Sequence, residues 1–207
     1  MEYLSIFLTV ALVHFLAVVS PGPDFMMITR NSLIYSRKTG IYSAIGLGLG
    51  ILVHVTYCLI GIGLIISQSP FLFSVIKILG AVYLVYIGYK SITSKSHNSI
   101  KDNVAKKNTD LTRINAVKVG FITNALNPKA TLFFLSLFTI VIKPNMPLFI
   151  KVLMGAEMSF VTFLWFAFVA IIFSHHLLKN RIIKVQHYAE KVIGVVLILL
   201  GIKVAFF

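Results

Sequence analysis

Six long apolar runs constrain this chain more than any other feature of its sequence. Each has about 20 residues or more, which is the length at which an α-helix crosses a hydrocarbon core about 30 Å thick. Hydrophobic residues make up 58% of the 207 positions and charged residues only 12%, whereas a soluble domain has roughly 25% charged residues. We therefore predict an all-α integral membrane protein with about six transmembrane helices. The predicted segments are Leu4 to Thr29, Ile41 to Ile66, Phe71 to Ile92, Val117 to Ile142, Leu148 to Phe173 and Tyr188 to Phe206.

The start of the chain indicates that the first apolar segment is kept. Met1-Glu2-Tyr3 supplies no basic region, and no small-residue cleavage site ends a short apolar stretch. Both features are needed for a removable signal peptide. We expect the first segment to remain as a helix.

The 19 Lys and Arg residues, which dominate a formal net charge of +13, lie mainly between the apolar runs. Basic loops are retained in the cytoplasm, so their distribution predicts orientation. One side of the predicted helices collects Arg30, Arg37, Lys38, Lys90, Lys95, Lys101, Lys106, Lys107, Arg113, Lys118, Lys179, Arg181, Lys184 and Lys191, and the other has only Lys77, Lys143, Lys151 and Lys203. We predict that both termini face outward. Because these residues do not form a groove-sized basic face, they do not indicate a nucleic-acid partner.

The polar stretch 93–116 divides the chain into two halves of three helices. It is rich in Ser, Asn and Lys, which favours a flexible cytoplasmic linker. Ser20-Pro21 and Asn127-Pro128 lie 107 residues apart, and the same offset matches Gly48 with Gly155. Since three is an odd number, a repeat of three helices must be inverted in the membrane, a recurring design of secondary transporters. We predict a single transporter domain over 1–207, with repeats at about 1–92 and 117–207.

The first apolar segment contains an unusual polar motif. It reads Ser20-Pro21-Gly22-Pro23-Asp24. The two prolines lack backbone N–H groups, so the carbonyls of Ala17 and Val19 would lose their partners in a continuous helix. In hydrocarbon such carbonyls are costly unless they line a cavity or are buried in protein. We predict a helix break here, with Ser20 as N-cap and Pro21 as first residue of a new half-helix that carries Asp24.

Asn127-Pro128-Lys129 repeats this pattern in the fourth segment, where Pro128 frees the carbonyl of Asn124. Both breaks lie roughly ten residues, or about 15 Å, from the cytoplasmic helix ends, which places them near the membrane midplane. In an inverted repeat the positive N-terminal ends of the two new half-helices converge, where they can hold a carboxylate. Single prolines often only kink a helix. Two prolines around a glycine, followed by an acidic residue and echoed in the other half, favour a substrate site.

Three charged residues within the apolar segments are candidate site residues. Asp24 could bind an ammonium group or take up protons, or it could form a structural ion pair with Lys129 or lie at the interface near Arg30. Lys129 could attract a substrate carboxylate or simply neutralise Asp24. Glu157 could face the cavity, or it could pair with Lys151 or lie at the outer interface.

Other reactive residues favour neither a metal site nor an enzyme. His14 and His54 fall inside apolar segments, where a histidine is more often a packing residue hydrogen-bonded to a neighbour than a proton carrier. Cys58 has no partner, and no pair of residues has metal-ligand spacing, so we expect no metal and no cofactor. No nucleophile and base stand at a recognisable spacing, and no loop resembles a phosphate cradle.

The motifs resemble those of the amino-acid exporters of the lysine exporter superfamily, in its homoserine/threonine resistance branch. The residues that carry the resemblance are Ser20 to Asp24, Asn124 to Ala130, the Gly80 to Gly88 pattern and the glycine-containing last segment. The resemblance implies proton-driven export of threonine- or homoserine-like amino acids across the bacterial inner membrane. Relatives move other amino acids, and a more distant branch moves cadmium, so export of a cation or metal is the alternative.

Two alternatives come from other functional classes. One is a membrane-embedded enzyme acting on a lipid, which the missing nucleophile–base pair and phosphate-binding loop disfavour. The other is a non-catalytic assembly subunit, which would not need an acidic residue beside a doubly broken helix. The expected partners are an amino acid, protons and the lipid bilayer, and a homo-oligomer is compatible with the sequence.

Overall fold

The computed structural model describes residues 2–93, 109–142, 146–174, 191–202 and 205. These residues form eight α-helices and no β-strand, which confirms the predicted all-α class. The helices are α1 Glu2–Val19, α2 Pro23–Ile34, α3 Arg37–Gln68, α4 Pro70–Thr93, α5 Arg113–Ala125, α6 Pro128–Val141, α7 Leu148–Phe173 and α8 Lys191–Ile202.

Three of the helices are long and apolar enough to cross a membrane alone. They are α3, α4 and α7, and α1 with α2 passes the same test as one broken span bent by 55°. The chain is therefore a multi-pass membrane protein by length and composition. The fourth predicted segment is divided between α5 and α6, and α8 covers the central part of the sixth.

The predicted linker overlaps the start of α5. Thr112 caps this helix, since its Oγ1 accepts a hydrogen bond from the Asn115 N–H at 3.3 Å, and the helix begins at Arg113. The last residues of the predicted linker are thus helical. Residues 94–108, which make up most of it, lie outside the described part of the chain.

Small residues bring the helices into close contact. A Cβ atom added at Gly46 of α3 would collide with the Val117 carbonyl of α5, and one added at Gly120 would collide with the Ser43 carbonyl. Between α4 and α8, a Cβ at Gly88 would lie 2.6 Å from the Gly194 carbonyl, and the converse distance is also 2.6 Å. Such approach of backbones is a common way to pack helices in lipid.

The interior contains two apolar clusters. One joins residues of α1, α3, α4, α6, α7 and α8 and includes Phe134, Met158 and Leu197. The other joins α2, α3 and α7 and includes Ile28 and Phe166. Many large side chains on the outside are apolar as well, as expected where the solvent is a bilayer. The two helix breaks lie beside these clusters.

Candidate functional site

The first break differs in detail from the sequence prediction. Helix α1 ends at Val19, Gly22 is the N-cap of α2 with an extended backbone, and Pro23 is the first residue of α2. The prediction of Ser20 as N-cap and Pro21 as first residue is wrong by two positions. Ser20 stays with α1, because its N–H donates to the Leu16 carbonyl at 3.2 Å and its hydroxyl faces the Lys129 ammonium instead of a helix N-terminus. Asp24 lies in the first turn of α2, as predicted.

The second break has the predicted local structure. Asn127 is the N-cap of α6, its Oδ1 accepts from the Lys129 N–H at 3.0 Å, and Pro128 is the first helical residue. The Asn124 carbonyl, which loses its helical donor at Pro128, accepts from the Asn127 N–H at 2.8 Å and bonds His54 Nε2 at 2.9 Å. The break is thus stabilised by a side chain from α3.

The two breaks bind each other through their charged residues. Asp24 accepts a hydrogen bond from Asn124 Nδ2 at 2.8 Å and another from Asn127 Nδ2 at 3.0 Å. In the opposite direction, Lys129 Nζ donates to the Ser20 carbonyl, the Ser20 hydroxyl and the Pro21 carbonyl, each at 3.0 Å. The acid of the first half is bonded by the second half, and the ammonium of the second half by the first.

The ammonium of Lys129 lies at the C-terminal end of α1, where the helix dipole favours a cation. We expected the proline motif to free the carbonyls of Ala17 and Val19, but the carbonyls that Lys129 contacts are those of Ser20 and Pro21. This difference follows from the position of the break. Because α2 begins at Pro23, the connecting residues 20–22 lie outside both helices, and the Ser20 and Pro21 carbonyls are available to Lys129.

These groups surround one cavity of about 50 Å³. Six of the predicted site residues line it, namely Ser20, Gly22, Asp24, Asn124, Asn127 and Lys129. The apolar part of the lining comes from both interior clusters and includes Phe25, Phe134, Phe166 and Leu197. Across this cavity the two breaks are joined by the hydrogen bonds of Asp24 and Lys129.

The prolines act through the backbone. Pro23 and Pro128 begin the two half-helices, while Pro21 contributes its carbonyl to Lys129. Both helix N-termini lie at the cavity, since their capping residues Gly22 and Asn127 line it. A Cβ atom at Gly22 would lie 3.2 Å from Cδ and 3.3 Å from Nζ of Lys129, so glycine leaves room for the ammonium.

Glu157, the remaining predicted site residue, lies apart from this cavity. It lines an open groove with Ala11, Phe15 and Trp165, formed by α1 and α7. Its Oε2 is buried without a hydrogen-bond partner among the described residues. The structure therefore groups the other predicted residues and leaves Glu157 outside.

Sequence reasoning missed two polar residues of the cavity. His14 and Thr162 both line it, both are almost completely buried, and Thr162 Oγ1 lies 3.3 Å from His14 Nε2. The available signal was helical spacing, because His14, Ala17 and Val18 recur at the three- and four-residue intervals of one helix face. His54 is a packing residue, as predicted, stacked on Phe134 with ring centroids 5.4 Å apart.

Potential metal ligands are scattered. The described residues contain no group of three His, Cys, Asp or Glu side chains that could hold a metal ion. Cys58 is a buried free thiol. The polar chemistry at the breaks comes from one acid, one ammonium and two amides.

Apolar spanning helices that are broken beside a polar cavity are typical of membrane transporters. The profile of the LysE type translocator family matches residues 15–206, and the chain belongs to this family. This confirms the family resemblance of the proline motifs.

Curated relatives resemble the chain over most of its length. An uncharacterized membrane protein of Bacillus subtilis, YrhP, is 31% identical over 202 residues, which cover 90% of this chain and 91% of that protein. The threonine efflux protein of Escherichia coli K12 is 30% identical over 171 residues, or 83% of each chain. An uncharacterized membrane protein of Haemophilus influenzae is 26% identical over 195 residues, covering 94% of this chain and 93% of that one. No solved structure matches.

Proposed function

We propose that this chain is a proton-coupled secondary transporter that exports threonine- or homoserine-like amino acids across the bacterial inner membrane. The observation that carries the proposal is the pairing of the two helix breaks around one cavity, with Asp24 contributed by one break and Lys129 by the other. A zwitterionic amino acid has the complementary charges. Family membership and the likeness to threonine efflux proteins support the same function.

Each end of a zwitterion has a partner in the cavity. Asp24 can accept from the substrate ammonium, and Asn124 Oδ1, which is buried without a partner among the described residues, is a further acceptor. The substrate carboxylate can bind Lys129 and the N–H groups at the starts of α2 and α6, where helix dipoles favour an anion. Charge-assisted bonds of this kind are roughly twice as strong as neutral ones.

Substrate binding is linked to a change of conformation because the groups that would bind the substrate also join the two breaks. An ammonium on Asp24 competes with the amides of Asn124 and Asn127, and a carboxylate on Lys129 competes with the carbonyls of Ser20 and Pro21. A bound zwitterion thus replaces hydrogen bonds between the two breaks. Binding therefore goes together with separation of the groups that join the two breaks.

Proton coupling is supported by Asp24, the one acidic side chain among the described residues that line the cavity. Asp24 cannot hold a proton and an ammonium at full strength together, because protonation removes its negative charge. A proton that enters from outside and binds Asp24 would therefore favour release of the amino acid. If a proton and the substrate ammonium group bind the Asp24 carboxyl group in turn, export of the amino acid is coupled to entry of a proton.

The membrane arrangement in this proposal has six spans as two inverted repeats of three. The broken spans are α1 with α2 and α5 with α6, α8 is the sixth, and both termini lie outside. The glycines matched by the sequence offset support the repeat, since both lie where α3 meets α7. A Cβ at Gly48 would be 2.9 Å from the Ser159 carbonyl, and one at Gly155 would be 2.7 Å from Val55 Cγ1.

Export of a cation or metal fits the cavity less well. Lys129 places a positive charge in the same cavity as Asp24, which repels a metal ion but suits a zwitterion. The described residues also offer no three-ligand group of the kind that a metal needs. The charge pair therefore favours an amino acid.

Counterflow in proteoliposomes tests the proposal. Vesicles preloaded with unlabelled threonine, homoserine, valine, lysine or cadmium would be diluted into labelled threonine, with protein-free vesicles as control. We expect labelled threonine to accumulate in vesicles loaded with threonine or homoserine. Failure of every amino acid to drive uptake, together with cadmium transport measured directly, would overturn the proposal.

A further inference from the structure

The most informative group outside the two breaks is the buried pair of His14 and Thr162. His14 is 0% exposed and lines the cavity, yet its Nδ1 has no hydrogen-bond partner among the described residues. His54 is equally buried, but its two ring nitrogens are bonded to Tyr57 and Asn124. Leaving a buried ring nitrogen unpaired is costly, so the difference between the two histidines indicates a ligand at His14.

We infer that His14, held by Thr162, is the subsite that binds the side-chain hydroxyl of the transported amino acid. The inference rests on the proposed function and adds the residues that distinguish hydroxylated substrates from apolar ones of the same shape. In this arrangement Asp24 and Lys129 bind the charged groups common to all amino acids. His14 binds the substrate side chain and so distinguishes one amino acid from another.

A hydroxyl suits His14 in either tautomer. In one tautomer Nε2 of His14 accepts a hydrogen bond from the Thr162 hydroxyl, and Nδ1 carries the hydrogen and is a donor. In the other tautomer Nε2 donates to the Thr162 hydroxyl, and Nδ1 is an acceptor. A hydroxyl can both donate and accept, whereas an ammonium only donates and a carboxylate only accepts. The neighbouring rings of Phe133 and Phe134, with centroids 6.4 and 5.9 Å from that of His14, supply an apolar wall for the carbon chain.

The spacing along α1 suits a small hydroxy amino acid. His14 precedes Ser20 by six residues, or about 9 Å along the helix at 1.5 Å per residue. A four-carbon amino acid spans about 4 Å from its charged groups to its hydroxyl at ordinary bond lengths, and a hydrogen bond at each end adds roughly 3 Å. The sum of about 10 Å is comparable to the rise along α1 from His14 to the start of the first break.

The test compares substrates that differ only by a hydroxyl in place of a methyl group or a hydrogen. Proteoliposomes would be assayed for export of threonine against valine and serine against alanine. For the unmodified protein we expect a preference of about tenfold or more for the hydroxylated member, because a site built for a hydroxyl rejects an analogue without it. Thr162→Val and His14→Leu should reduce both ratios toward one, because export of the hydroxylated member falls more than export of its partner. His14→Asn, which keeps hydrogen-bonding groups, should retain part of the preference.

Thr139→Val is the matched control. Thr139 is also a buried threonine, but it bonds the Ser136 carbonyl of its own helix and is not among the residues that line the cavity. The threonine/valine and serine/alanine export ratios of Thr139→Val should equal those of the unmodified protein. Equal loss of threonine and valine export in Thr162→Val and His14→Leu would assign the pair a structural role and overturn the inference. Amino-acid export by the unmodified protein with no hydroxyl preference would overturn the inference alone, whereas export of no amino acid would overturn the proposed function with it.

Discussion

The Asn127 side chain binds Asp24 and caps α6 at the same time. Its Nδ2 donates to Asp24 Oδ1 at 3.0 Å, while its Oδ1 accepts from the Lys129 backbone N–H at 3.0 Å. One amide thus fixes the start of a half-helix in the second half of the chain and holds the acid of the first half. A substrate that takes Asp24 from Asn127 would alter both, and this makes the residue a sensitive point for mutation.

Asn127→Leu should therefore reduce export by about tenfold or more while leaving the protein inserted. The variant loses an N-cap, worth about 1 kcal/mol, and removes one donor from a buried carboxylate, which costs about 1–3 kcal/mol. Pro128→Leu should also reduce export, because it removes the residue that fixes the first turn of α6. Initial rates in proteoliposomes measure the effect.

Asn115→Leu is the control for this prediction, since Asn115 is exposed at the start of α5, away from the cavity. Its transport should equal that of the unmodified protein. Normal transport by both Asn127→Leu and Pro128→Leu would show that the second break is not part of the site.

Asp24→Asn should fold and insert but lose accumulation driven by a pH gradient. Asparagine keeps the size of the side chain and its ability to hydrogen bond but cannot hold a titratable charge. We expect the remaining activity to be exchange or downhill leak of amino acid, measured as uptake with and without an imposed gradient. Asp110→Asn is a suitable control, because Asp110 is exposed and bonded to Ser36. Gradient-driven transport at the normal level in Asp24→Asn would leave Asp24 as a structural partner of the second break.

Gly50→Ala should lower both the thermal stability of the purified protein and its export rate. A Cβ atom at Gly50 would lie 2.8 Å from both Cβ and Oδ1 of Asn124, whose amide binds Asp24. Overpacking of this kind costs about 1–3 kcal/mol. Gly61→Ala, in the same helix, would place its Cβ more than 4 Å from every other described part of the structure beyond its own helix turn, and it should be neutral or slightly stabilising, because alanine is the better helix former. Melting temperatures and transport rates of the pair measure this contrast, and equal behaviour would contradict the contact.

The orientation of the chain can be tested with reporters that are active only in the periplasm. The distribution of basic side chains predicts that such a reporter is active at both termini and inactive when it is inserted within 93–116. A reporter in the loop between α6 and α7 should be active as well, because it lies on the side with few basic residues. A cytoplasmic N-terminus would contradict both the orientation and the inverted repeat.

Sequence reasoning located the two breaks because prolines remove backbone donors wherever the chain carries them. It misplaced the first cap since Ser20 and Gly22 are both acceptable capping residues, and the choice depends on Lys129, which is distant in sequence. The second break has one strong capping residue, Asn127, and the local prediction was confirmed.

The partners of the breaks could not be read from local patterns. The bond from His54 to the Asn124 carbonyl and the contact between His14 and Thr162 depend on how α1, α3, α5 and α7 pack. Glu157 shows the same limit in reverse. Its position in an apolar segment left open whether it faces the cavity, pairs with Lys151 or lies at the outer interface, and the rotation of α7 places it in the groove beside α1. Helix rotation is set by tertiary contacts.

Asp24 of the first half is bonded by asparagines of the second half, and Lys129 of the second half is bonded by the first break. These bonds bear on how the protein inserts and assembles in the membrane. If one half of the chain inserts into lipid before the other, its ionisable side chain lacks hydrogen-bonding partners. An unpartnered charge of this kind is costly in the membrane. Docking of the halves supplies these partners to both at once. The charges proposed to bind the substrate would then also favour correct assembly, because both are paired only when the two halves have docked.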